Sequence, residues 1–303
     1  MRPLTICPNT QRSRCTDLVH WLIAPGFFTS APVHTALVLS AIAATVCAVV
    51  GVFTVLRGMA FAGHALTDVA ATGGSGAVLV GASPLTGFLT GAVAGAGAVA
   101  VAGGRDARGR DVATGIVLSL ATGLSALFLY LDATTSSATG VTQRVLFGSL
   151  FSADPSTVLP TLSVGLLALV VTGLTVRPLV LTSLSVELAR ARGIRVGLVN
   201  VVFLATMATA VGLSALVSGS LLSTALLIGP AVAAVRCTTR LSHALVVATA
   251  LGVGCSWLGI LLSYDSYNWM PNNQSLPVSF FVVVTVVLSY AICTWWGTRA
   301  RRV

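Results

Sequence analysis

Long apolar runs broken by short polar segments organise this chain. Runs at about 34–56, 59–81, 85–102, 112–131, 156–176, 197–217, 221–235, 242–264 and 278–297 are rich in Leu, Val and Ala. A bilayer core about 30 Å thick needs roughly 20 apolar residues per helix, and most of these runs supply them. They are continuous rather than alternating, which selects helices over a membrane barrel. Pro84, Pro155 and Pro277 stand at run entrances, where a missing backbone N–H costs a helix least. The block Val196 to Val235 reads either as two spans turning at Ser218-Gly219-Ser220 or as one span with a surface segment. The expected fold is therefore all-α, a polytopic membrane bundle of eight to nine transmembrane helices.

Composition agrees: 55% of the 303 residues are hydrophobic and 8% are charged, where a soluble domain carries about a quarter charged. The net charge of +9 forms no basic patch with interleaved aromatics, so nucleic acid is not an expected partner; the lipid bilayer is. All 17 basic residues are arginines. They concentrate at Arg57, Arg105 to Arg110, Arg177 to Arg195, Arg236 and Arg240, and Arg299 to Arg302, in alternate loops, which assigns those loops to the cytoplasm. Asp132 to Asp154 and Asp265 to Leu276 then face outward. An odd span count would put the arginine-bearing N-terminus outside, so a partial span near Trp21 to Phe28, or one span fewer, is an open alternative. The N-terminal stretch lacks the pattern of a cleaved signal peptide.

Six cysteines show no C-x-x-C spacing and read as packing residues. The chain has no lysine and no phosphate-binding loop, so any ATP hydrolysis belongs to another chain, and H-E-x-x-H is absent.

The stretch GMAFAGHALTDVAATGGSG, Gly58 to Gly76, holds the ionisable residues that lie well inside a run, His64 and Asp68. Four apart on a helix, they share a face. An acid at membrane depth ordinarily faces a cavity, a partner or a pathway. Imidazole with carboxylate suits zinc, manganese or iron(II), and Thr67, Thr72 and Ser75 add small polar groups on or beside that face. The plainer reading is that the two bond each other and seal a helix contact. Gly73-Gly74-Ser75-Gly76 also matches the G-x-S-G of rhomboid-like intramembrane serine proteases, with His243 as candidate base, although small-residue helix packing accounts for it too.

In LTSLSVELARARGIRVG, Leu181 to Gly197, Ser185 can cap a short helix. Glu187 falls in its first turn, Arg190 and Arg192 near its end, and Gly193 stops it. Such a helix suits docking to a protein or anchoring at headgroups.

Four stretches, VLRGMAFAGHALTDVAATG, VLFGSLFSADP, LTSLSVELARARGI and VGLSALVSGSLLSTALLIGPAVAA, in this order resemble the permease subunits of bacterial ABC importers for zinc, manganese and iron(II). The resemblance covers about residues 34–298. It implies a multi-pass permease of the bacterial cytoplasmic membrane, not itself an enzyme and holding no permanent cofactor. It further implies a homodimer, driven by a separate ABC ATPase subunit and fed by an extracytoplasmic metal-binding protein. The permease domain would span 33–298, between an N-terminal tail at 1–32 and a basic cytoplasmic tail at 299–303. The region at about 184–194, with Ser185, Glu187, Leu188, Ala189, Arg190 and Gly193, would be the coupling helix. The family's second span reads glycine, aspartate, three residues, histidine. Here Gly63 matches, while His64 holds the aspartate position and Asp68 the histidine position. Rival readings are a proton-coupled secondary metal transporter and a related permease for siderophores or cobalamin.

Overall fold

A computed structural model describes residues 30–102, 107–135, 145–148, 150–152, 154–269 and 276–300. The readings for 1–29, for 301–303 and for most of the outward loop 136–144 lie outside the described residues. The longer helices are α1 (Ala31–Leu56), α2 (Ala60–Leu79), α3 (Pro84–Ala102), α4 (Ala107–Thr135), α5 (Val158–Leu184), α7 (Val196–Ser218), α8 (Ser220–Cys237), α9 (Leu241–Trp269) and α10 (Val278–Ala300), with a short α6 (Val186–Ala191) before α7. Each expected span corresponds to one of the nine long helices among the described residues. Seven of the helices are long and apolar enough to cross a membrane.

The uncertain block is two helices. Gly219 turns the chain at φ +79°, a left-handed conformation that side chains other than glycine adopt at a cost. A Cβ there would also collide with the backbone of Leu146 and Gly148, so the α7–α8 turn sits directly on the outward segment. One boundary differs from expectation: Arg177 was assigned to a loop, whereas α5 continues through Pro178 to Leu184. The Thr182 hydroxyl donates to Pro178 O at 2.8 Å, one turn back, and the loop proper begins at Ser185.

Helix α1 is the hub. It packs against α5, α7, α8 and α9, and Ala36, Ala43, Val46, Cys47 and Val50 on it are fully buried. Helix α5 is peripheral, with Leu166, Leu167 and Leu174 all exposed. In lipid there is little hydrophobic gain from joining two apolar helices, so close packing and internal polar bonds hold such a bundle together. Threonines satisfy their hydroxyls on their own helices: Thr54 donates to Val50 O at 2.9 Å and Thr172 to Ala168 O at 2.7 Å.

Helix α2 lies against α3, α4, α7 and α8. Its contact with α3 is glycine to glycine, since a methyl at Gly73 would stand 2.7 Å from Gly91 Cα and would strike Gly87 O. Gly87, Gly91 and Gly95 are spaced by four, so one small-residue groove on α3 receives α2.

Candidate metal pathway

Helix α2 falls outside the seven long apolar helices, because Gly, Ser and Thr dilute it and it carries two ionisable residues. It packs against α3, α4, α7 and α8, and α3, α4 and α7 are among the seven.

His64 is the fifth residue of α2 and Asp68 the ninth. At 1.5 Å per residue they stand about 6 Å and 12 Å along the helix axis from its first residue. The structure gives them different partners. His64 Nδ1 lies 3.1 Å from the Thr224 hydroxyl of α8. Asp68 Oδ2 accepts from the Thr122 hydroxyl of α4 at 3.0 Å. Among the described residues no hydrogen bond or ion pair joins His64 to Asp68, so the pair does not seal itself. His64 is exposed and Asp68 half-buried, leaving the imidazole Nε2 and the second carboxylate oxygen available.

The other candidates divide. Thr67 joins the His64 group: its hydroxyl lies 3.3 Å from that of Thr224 while donating to Gly63 O at 3.1 Å. Thr72 stands beside Asp68 but is occupied, bonding Asp68 O at 2.9 Å and Ala121 O of α4 at 2.8 Å. Ser75 is fully buried and donates to Thr72 O at 3.1 Å, so its hydroxyl is not presented to a substrate. Neither Thr72 nor Ser75 reaches the His64 group. His243 is exposed in the first turn of α9. With Gly73 and Gly74 pressed against α3, the GGSG stretch is a packing surface rather than a nucleophile's setting.

Thr224 and Thr122 carry the partner roles, and sequence reasoning passed over both. A threonine in an apolar run is ordinary; the available signal was that Thr224 sits among the serines and glycines of SGSLLSTALLIGP. The resulting donor set is one imidazole, one carboxylate and hydroxyls, without a thiolate. It suits divalent ions that accept oxygen and nitrogen, and it does not suit soft monovalent copper. No group of three or more His, Cys, Asp or Glu capable of holding a metal occurs among the described residues. A sparse donor set fits passage better than retention, because a tightly held ion does not move on.

The segment expected at about 184–194 forms residue by residue. Ser185 is the N-cap, its Oγ accepting from Leu188 N at 3.2 Å, with Glu187 in the first turn and Arg190 in the last. Gly193 follows at φ +77°, and Ile194 N closes onto Ala189 O at 3.0 Å. Ala189 is wholly buried, whereas Leu184, Val186, Leu188 and Arg190 are exposed.

The manganese import system permease protein ScaB of Streptococcus gordonii is 29% identical over 269 residues, covering 88% of this chain and 92% of that one. The manganese transport system membrane protein MntC of Halalkalibacterium halodurans is 30% identical over 223 residues, 73% of this chain and 75% of its own. Among solved structures, PsaBC from Streptococcus pneumoniae in complex with Fab contains a chain that superposes with a TM-score of 0.76 at 22% identity. That match covers 91% of this chain and 95% of the other, so the two share a fold. The model of the ABC 3 transport family matches residues 31–292, and the chain belongs to that family.

Proposed function

We propose that this chain is the permease subunit of an ATP-driven importer of a divalent transition-metal cation, with manganese the favoured cargo ahead of zinc and iron(II). As a member of its family it is a multi-pass protein of the cytoplasmic membrane. Residues 33–298 are the permease domain and 299–303 a basic cytoplasmic tail. ATP is hydrolysed by a separate subunit docked at α6, the permease works as a homodimer, and an extracytoplasmic binding protein delivers the ion.

The observation that carries this reading is the polar helix α2, packed on four neighbours, whose His64 and Asp68 turn to hydroxyls on two of them. A dehydrating cation passing along α2 meets imidazole nitrogen and carboxylate oxygen in succession. Thr224, Thr67 and Thr122 supply neutral oxygens that replace water without adding charge. Manganese is favoured because ScaB and MntC are manganese permeases by name and because the donor set lacks sulfur.

The test is reconstitution of the chain with its ATPase and binding protein in proteoliposomes, followed by measurement of Mn2+ uptake. Uptake that needs ATP and disappears in Asp68→Ala supports the reading. Uptake by the permease alone on a pH gradient would establish the proton-coupled alternative instead.

A further inference from the structure

Arg57 belongs to the arginines that charge alone assigns to the cytoplasmic surface, yet it is not fully exposed. It is half-buried at the C-terminal end of α1. Its Nη2 donates to Asn200 Oδ1, and its guanidinium carbon stands 4.9 Å from the ring centroid of Phe203. Both partners are on α7, which begins five residues after α6 ends. Phe203 is itself 2% exposed, so the cation meets the ring away from water, where such contacts are strongest.

Asn200, Phe203 and Met207 fall at i, i+3 and i+7, one face of α7. Further into the bilayer, fully buried Met207 accepts from the Thr54 hydroxyl at 3.4 Å. A Cβ at Gly63 would meet the same sulfur at 3.8 Å, and Gly63 immediately precedes His64. The α7 face therefore runs from the segment after α6 to the residue beside the first candidate ligand.

On the other side Arg57 is joined to α2 through a tight turn. Gly58 N bonds Val55 O at 3.1 Å, Met59 N bonds Thr54 O at 3.0 Å, and Gly58 has φ +64°. Helices α1 and α2 otherwise make little contact. Displacement of the α7 entrance thus reaches the start of α2 through the Arg57 side chain, beside the direct α7–α2 contact deeper in the bundle.

We infer that Arg57 is a positioning residue that couples movement of the α6–α7 segment to α2, held by Asn200 and by the ring of Phe203. The inference rests on the importer reading above. It requires planarity and charge at position 57 and aromaticity at 203, which bulk alone does not supply.

The experiment uses the permease assembled with its ATPase and binding protein in proteoliposomes, and reads Mn2+ imported per ATP hydrolysed. Arg57→Gln is expected to keep ATP hydrolysis while lowering that ratio about fivefold or more, the low end of ordinary coupling between sites. Phe203→Leu should lower it comparably, Phe203→Trp should retain it, and the Arg57→Gln, Phe203→Leu double variant should be no worse than the poorer single. Equal ratios for Phe203→Leu and Phe203→Trp would overturn the inference, even where Arg57→Gln fails to fold. A folded Arg57→Gln with an unchanged ratio would overturn it as well. A wild-type assembly that hydrolyses ATP and imports no Mn2+ would sink the importer reading, and the relay with it.

Discussion

The imidazole of His64 and the hydroxyl of Thr224 meet at 3.1 Å across α2 and α8, residues 160 positions apart. This contact joins α2, which falls outside the long apolar helices, to α8. A hydroxyl at position 224 holds the ring without adding a second charge, and either imidazole tautomer can use it, since the hydroxyl both donates and accepts.

Thr224→Val, nearly isosteric, should therefore reduce Mn2+ uptake about three- to tenfold, the scale of one lost hydrogen bond. Thr224→Ser should retain uptake. Expression and detergent stability of both variants should match wild type, and initial uptake rates make the comparison.

Asp68 carries the only carboxylate on α2, and no neutral group can replace its attraction for a cation. Asp68→Asn should abolish uptake with the fold intact, as read by gel filtration and thermal stability. Thr122→Val should give a partial loss, because Thr122 orients Oδ2 at 3.0 Å without bearing the charge. Combining the two should be no worse than Asp68→Asn alone.

The α2–α3 contact predicts a contrast between two glycines. Gly73→Ala forces a methyl onto Gly91 and should lower stability by about 1–3 kcal/mol, as overpacking does elsewhere. Gly97→Ala places its methyl in open space and should leave thermal stability and expression unchanged.

At α6, Ser185→Ala removes the cap to Leu188 N and should cost about 1 kcal/mol of local helix stability. Leu188→Asp places a charge at an exposed apolar position and should weaken ATPase association about tenfold or more, as at other interface anchors. Glu187→Gln and Arg190→Gln should also loosen coupling. Metal binding by the permease should be unaffected in all four, which isothermal titration of the purified chain would check.

Local features were legible in the sequence because their causes are local. The Ser185 cap, Glu187, Arg190 and the Gly193 stop lie within nine residues, and each formed as its side-chain chemistry dictates. Span positions were equally legible, since roughly 20 apolar residues have few other uses. The α5 end was not, because Arg177 reads by its charge as a loop residue while the helix runs past it and past Pro178. The site was half legible. His64 and Asp68 stand out by what they cost in a membrane, whereas Thr224 and Thr122 are of a type that usually bonds its own helix, as Thr54 and Thr172 do. For Arg57, charge told the loop it occupies and nothing of the ring it lies on.

The polarity of α2 bears on biogenesis. A segment that does not qualify as an apolar span is a poor candidate for insertion by itself. Its neighbour α3 does qualify, follows after only four residues, and accepts it along a glycine groove too close for lipid to enter. The pair would thus enter the bilayer as one hairpin, with α3 as the partner that makes α2 soluble in hydrocarbon. A reporter fused after α2 alone should show failed insertion where the α2–α3 hairpin succeeds. A residue such as Gly91 would then be under constraint twice, once for the finished bundle and once for the moment the ribosome delivers it.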